Sequence, residues 1–179
     1  VEAELPVNTE IATWERLSAI VEKEESFAVG TCTCRQQAKF EGHPCKIEGV
    51  PMETCVFFGN SADYIVDRKF GRRLSRKELL ELLRSFGEYG LMHNINNFLG
   101  KNIVLCNCCS CCCDILRPML RHRGLKRAAG SNFVAVVDEE SCVGCGECVE
   151  ICQMKAVELH DTLARISADY CMGCGNCVA

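Results

Sequence analysis

A chain of 179 residues with 17 cysteines and a net charge of −4 is long enough to bury a core in one or two domains, and its thiol content points to a thiolate-rich metalloprotein. No run approaches the ~18 apolar residues of a transmembrane helix, and the acidic start Val1-Glu2-Ala3-Glu4 shows no basic region leading into an apolar stretch, so no signal peptide is legible. Oxidising surroundings would threaten so many free thiols, which places the expectation in the cytoplasm, in an anaerobe.

Charge is unevenly spread. Residues 1–67 carry −7, residues 68–130 carry +9 and residues 131–179 carry −6. From the start, Asn8 or Thr9 can cap an amphipathic helix on which Ile11, Trp14, Leu17 and Val21 recur at helical spacing up to Glu22-Lys23-Glu24-Glu25. Trp14 on that stripe reads as core packing. Phe27-Ala28-Val29 then reads as a short buried strand that delivers the chain to the first thiols.

Those thiols are Cys32 and Cys34, followed by Cys45 after Gly42-His43-Pro44, and by Cys55 in Glu53-Thr54-Cys55-Val56-Phe57-Phe58-Gly59. The intervals match no common zinc knuckle. In an extended segment Cys32 and Cys34 point the same way and can approach one metal, with Arg35 turned away to pair with acidic or backbone groups. His43 beside Pro44 reads as a turn residue rather than a ligand.

Ser75-Arg76-Lys77-Glu78 matches a capping box, and Leu79, Leu80, Leu82, Leu83 and Phe86 give the helix behind it a buried face, with Gly87 and Gly90 as stops. Leu91–Ile95 and Ile103–Leu105 read as two short strands around a turn with Gly100. Helix followed by hairpin suggests a small winged unit whose basic side is Arg68, Lys69, Arg72, Arg73, Arg76 and Lys77.

The hairpin runs into the densest thiol stretch, Cys106, Cys108, Cys109, Cys111, Cys112 and Cys113. On a helix, Cys108 shares a face with Cys111 and Cys112, and Cys109 with Cys112 and Cys113. One cube cannot take all of them, so the run serves two centres or keeps spare thiols. With Cys32, Cys34, Cys45 and Cys55 the N-terminal part has ten cysteines, enough for one or two [4Fe-4S] clusters, with zinc or a redox-active thiol site as the alternative. Ile115–Leu120 continues as a helix that Pro118 kinks or restarts, and the basic stretch 121–130 reads as a linker.

Phe133–Val137 then reads as a strand leading to Cys142, Cys145, Cys148 and Cys152 in C-x2-C-x2-C-x3-C spacing, echoed by Cys171, Cys174 and Cys177. A cube needs thiolates at its corners, and a loop with two residues between ligands wraps three of them when glycines such as Gly144, Gly146, Gly173 and Gly175 permit the turns. A single C-x2-C pair would leave zinc open, but two such runs favour iron-sulfur chemistry. A disulfide framework fails because neighbours such as Cys111, Cys112 and Cys113 are poorly placed to pair with one another. Val157–Leu159 and Ala164–Ile166 alternate around Asp161-Thr162 as a hairpin.

Residues 131–179 resemble the bacterial-type 2[4Fe-4S] dicluster ferredoxin domain. The resemblance implies a βαβ-βαβ pseudo-repeat and two clusters. Cys142, Cys145 and Cys148 would hold one, and Cys152 would join Cys171, Cys174 and Cys177 on the other. By spacing, the thiolate that completes the first cluster falls just after Ala179, so the chain is expected to continue. Gln153 stands where the family usually places Pro. The stretches Gly30-Thr31-Cys32-Thr33-Cys34-Arg35, His43-Pro44-Cys45, Glu53–Gly59 with Cys55, and Cys106–Cys113 look like the cysteine-rich region that precedes such a domain in ferredoxin-type proteins of anaerobes.

These readings combine into an α+β chain: a mainly helical, cysteine-rich domain with a short hairpin over 1–130, and a ferredoxin domain over 131–179. The expected function is single-electron relay between clusters, as a carrier or as a component of an anaerobic redox complex rather than a standalone enzyme, with no catalytic residue assigned. No phosphate loop and no Ser, His and Asp arrangement argues otherwise. The expected partners are redox proteins, acidic ones docking on the basic segment 68–130, with nucleic acid disfavoured. The alternatives are an iron-sulfur regulator that binds nucleic acid through that segment, and an oxidoreductase whose N-terminal centre is catalytic.

Overall fold

The computed structural model describes residues 7–98, 101–122 and 131–178. It mixes helix and sheet. Strands β1 (Val7–Ile11), β2 (Phe27–Thr31), β3 (Glu53–Phe58), β4 (Gly71–Leu74), β5 (Met92–Phe98) and β6 (Lys101–Cys108) form one antiparallel sheet in the order β1-β5-β6-β3-β2-β4. Helices α1 (Trp14–Lys23), α2 (Thr33–Phe40), α3 (Gly59–Asp67), α4 (Arg76–Glu88) and α5 (Leu116–Arg121) connect or follow them. Beyond lie α6 (Glu147–Ile151) and the hairpin β7 (Val157–His160) and β8 (Leu163–Ile166).

The N-terminal part therefore carries a six-stranded sheet beside its helices, where one short hairpin was expected. Its strands escape a pattern search because several are only four to six residues long and carry cysteine, arginine and glutamate, as in Gly71-Arg72-Arg73-Leu74. Val7–Ile11 is a strand rather than the start of a helix, since it pairs along β5 with Glu10 opposite Ile95, and the helix begins only after Thr13. The two strands expected after that helix are present and paired, but not as a free-standing wing. Strands β5 and β6 are interior to the sheet, flanked by β1 and β3, while the turn at Gly100 lies outside the described residues.

Alternation along the strands sorts the side chains. Val56, Phe58, Ile95 and Leu105 join Leu17 and Val21 of α1 and Leu79, Leu83 and Phe86 of α4 in the main core. Met92, Cys106 and Cys108, of opposite parity on the same strands, belong to a second apolar cluster with Leu116 and Met119. Trp14 packs against the main core as expected, with the Arg84 guanidinium 5.1 Å from its ring centre.

Helix α4 starts with the predicted capping box: Ser75 Oγ accepts from Glu78 N–H at 3.2 Å, and Ser75 N–H donates to Glu78 Oε2 at 2.7 Å. Replacing Ser75 with Ala should lower stability by about 1 kcal/mol, read as a shifted denaturation midpoint with an unchanged slope. The chain leaves α4 through Gly90, whose φ of +67° favours glycine.

Candidate metal centres

The ten N-terminal thiols fall into two groups. Cys32 is the N-cap of α2 and Cys34 sits in its first turn, so the pair is not extended as its spacing suggested, yet the two thiols still meet. Cys55 on β3 lies opposite Cys106 on β6, and Cys108 follows on the same face. Each thiol is influenced by two others in a closed ring: Cys32 and Cys34, Cys34 and Cys113, Cys113 and Cys108, Cys108 and Cys106, Cys106 and Cys55, and Cys55 and Cys32. Contacts from Cys108 and Cys55 bring the Cys106 thiol down to about 5, whereas contact with Cys106 pushes Cys55 up to about 12. The ring is half sealed from solvent: Cys32, Cys55, Cys108 and Cys113 are buried, and Cys34 and Cys106 are partly exposed.

The second group is Cys45, Cys109, Cys111 and Cys112, whose sulfurs all lie within 4.8 Å of one another. Cys45 Sγ is 3.6 Å from both Cys109 Sγ and Cys111 Sγ, and Cys111 Sγ is 3.7 Å from Cys112 Sγ. Hydrogen bonds from Cys109 and Cys111 hold the Cys45 thiol far below its ordinary range, and burial pushes Cys112 up to about 12. The run 106–113 thus divides between two groups of thiols. It does so without being a helix, because β6 ends at Cys108 and a turn carries Cys109, Cys111 and Cys112 back toward the loop that bears Cys45.

Arg35 separates the groups. It is 1 % exposed, donates to Thr54 Oγ1 and to the Asn107 carbonyl at 3.0 Å, and feels the thiols of Cys109, Cys32 and Cys45. Part of the expectation holds, since one partner is a backbone carbonyl. His43 is no thiol neighbour: its Nδ1 faces the Glu41 carbonyl at 3.2 Å in the turn opened by Gly42.

In the C-terminal part the two cysteine runs repeat one geometry at a constant offset. Gly144 and Gly173 have φ of +68° and +61°, and Gly146 and Gly175 have +84° and +85°. Ala164 N–H points to Cys142 Sγ, and Ala135 N–H to Cys171 Sγ, both at 3.5 Å. A Cβ on Gly144 would stand 2.5 Å from the Thr162 carbonyl, and one on Gly173 would press still harder on that of Phe133. Phe133–Val137 forms no strand among the described residues. It nevertheless presents its carbonyl and N–H to the second loop as Thr162–Ala164 does to the first, and most of the stretch that would correspond to β7 falls on residues outside the described ones.

Cys152 stands with Cys171, Cys174 and Cys177: burial, followed by these neighbours, raises the Cys177 thiol, and burial pushes Cys174 up to about 11. All four line a cavity of about 1100 Å³ that Trp14, Met92 and His93 also line. Cys142, Cys145 and Cys148 form the other loop, with Cys145 exposed. The 4Fe-4S binding domain family matches residues 135–158. No curated protein and no solved structure gives a significant match. The 4Fe-4S match takes in Cys142, Cys145, Cys148, Cys152 and α6.

The chain fits the group that this 4Fe-4S domain implies. Four thiols line one cavity, and at Gly144 and Gly173, one in each cysteine loop, a Cβ would strike backbone. Three residues that sequence reasoning passed over support the site. Asn107, buried in β6, accepts at Oδ1 from His93 Nδ1–H at 2.6 Å and donates from Nδ2 to the Thr54 carbonyl at 2.7 Å. Burial lowers the pKa of His93, against the hydrogen bond to Asn107. Asn176 Nδ2 donates to the Leu91 carbonyl at 3.1 Å, tying the second cysteine run to the start of β5. Gln153 does carry a sequence signal, as the departure from Pro. Its Oε1 accepts from Ser110 N–H at 3.1 Å and Ser110 Oγ–H at 3.2 Å, so the first run is fastened to the turn between Cys109 and Cys111.

Proposed function

We propose that the protein is an iron-sulfur electron carrier, or the electron-transfer part of an anaerobic redox complex, in which the six-thiol ring and the C-terminal loops hold clusters in one line. One observation carries this reading. Cys106, Cys108 and Cys113 of the ring pack in the same apolar cluster as Cys152 and Cys174, together with methionines 92, 119, 154 and 172.

When bound, a [4Fe-4S] cluster takes up and releases single electrons. The four C-terminal ligands would be Cys152, Cys171, Cys174 and Cys177, with Cys142, Cys145 and Cys148 holding a second cluster in the dicluster arrangement. The chain's own contribution is placement and dielectric. The methionines keep that shared cluster apolar, and N–H groups from Ala135, Ala164 and Ala156 point at cysteine sulfurs, the last at 3.3 Å from Cys152, where they favour the more negative state of a cluster. The net positive charge of segment 68–130 supports docking of an acidic redox protein, and a cytoplasmic location belongs to the same proposal. Among the described residues no helix is long and apolar enough to cross a membrane.

Anaerobically purified protein should contain about twelve iron and about twelve acid-labile sulfide per chain if the ring and both C-terminal loops are loaded, and about eight of each if the ring is empty. Cys34→Ala should remove about four iron while the electron paramagnetic resonance of the C-terminal clusters persists. Metal without any labile sulfide would overturn the proposal.

A further inference from the structure

The two N-terminal thiol groups differ in spacing, and spacing discriminates between the metal groups that cysteines hold. A single tetrahedral ion with metal–sulfur bonds of about 2.3 Å sets its sulfurs about 3.8 Å apart, the edge of the tetrahedron. A cube carries its thiolates outward from its corners, so that they stand roughly 6 Å apart. The measured separations of 3.6, 3.6 and 3.7 Å among Cys45, Cys109, Cys111 and Cys112 are those of the ion. The C-terminal quartet supplies a contrast within the same chain. Cys152, Cys171, Cys174 and Cys177 influence one another through charge, yet among the described residues no group of cysteines other than the first meets the 4.8 Å limit.

We infer that Cys45, Cys109, Cys111 and Cys112 hold one tetrahedral zinc or iron ion without inorganic sulfide, a structural or rubredoxin-like centre distinct from the clusters. A divalent ion with four thiolates is a dianion, and Cys109 and Cys112 are only 1 % and 2 % exposed. Such a charge needs a buried cation nearby. Arg35 is that cation, in contact with Cys109 and drawn to Cys45. Its Nε, buried and without a hydrogen-bond partner, is a donor left over after Thr54 and Asn107 are served. Cys109, Cys111 and Cys112 follow one another in a single turn after β6, and Cys45 completes the quartet from its loop.

The inference rests on the N-terminal cysteines being ligands, and its test separates it from the electron-transfer reading. Metal and sulfide are counted on the whole chain, purified anaerobically, for the unaltered protein and for Cys45→Ser, whose site is the loop thiol rather than one in the turn. The expected difference is one metal equivalent and no sulfide, with the cluster resonances kept. Zinc in the lost equivalent identifies a structural centre, and iron a rubredoxin-like one. A difference of about four iron and four sulfide would show a cube and overturn the inference, as would no difference at all. Should Cys45→Ser fail to fold, the unaltered chain produced with cobalt decides. Tetrahedral cobalt-thiolate absorption supports the single-ion centre, and its absence rejects it.

Discussion

An Arg35→Met chain should lose about 3 to 5 kcal/mol of folding stability, the range seen when one partner of a buried charge network is removed. Arg35 is 1 % exposed on α2, the helix that Cys32 caps, and it faces both thiol groups: Cys32 in the ring, Cys45 and Cys109 in the tight quartet. Methionine keeps much of the stem's packing and deletes only the guanidinium. What remains is an Asn107 carbonyl without its donor, a Thr54 hydroxyl without its partner, and thiolates without a counter-charge. Both N-terminal groups should then bind metal poorly, while the C-terminal clusters, held by other residues, keep theirs. Denaturant unfolding under anaerobic conditions, with metal counted on the folded fraction, checks both parts. Arg35→Lys should recover part of the charge term but not the forked hydrogen bonds, and so fall between the two. A loss below about 1 kcal/mol with metal unchanged would remove Arg35 from its role as counter-charge.

The chemistry of the two halves was legible in the sequence to different degrees, for a physical reason. Cys142, Cys145 and Cys148 stand at the close spacing that a loop wrapping one object requires, so spacing alone carries the message. The turn glycines at 144, 146, 173 and 175 are read equally well, since only a positive φ explains them in pairs. In the N-terminal half the partners are far apart. Cys55 meets Cys106 across two strands, and Cys45 reaches Cys109 from a loop. No local pattern encodes strand register between β3 and β6, and a helical wheel drawn on 106–113 groups the wrong thiols. Strand parity does better after the fact: Leu105 faces the main core, and Cys106 and Cys108 face the other way. Ser75 was read correctly because a capping box is local, and Val7–Ile11 was misread because a strand edge offered by β5 outweighs weak helical spacing in five residues.

Gly173→Ala should abolish cluster binding at Cys152, Cys171, Cys174 and Cys177, whereas Gly175→Ala, two residues on, should leave it in place. Both glycines have positive φ, at +61° and +85°, so both substitutions carry the left-handed cost of about 1 to 2 kcal/mol. They differ in what surrounds the new methyl. At Gly175 the nearest atoms belong to the Thr13 side chain at 3.9 Å, an ordinary contact. At Gly173 the methyl would meet the Phe133 carbonyl oxygen and carbon, with Ser131 Oγ at 2.9 Å, and backbone cannot step aside as a side-chain tip can. Relief requires the loop and the Phe133 segment to part. That movement withdraws the Ala135 N–H from Cys171 Sγ and breaks the bond from Ser131 Oγ–H to the Gly173 carbonyl. The expected readout is a loss of about four iron per chain for Gly173→Ala and none for Gly175→Ala. Gly144→Ala should act on the first loop in the same way, because its Cβ would meet the Thr162 carbonyl at 2.5 Å. Equal iron in all three variants would mean that the loops yield more readily than the packing allows, and that the close backbone approach in each repeat is not what shapes the cluster sites.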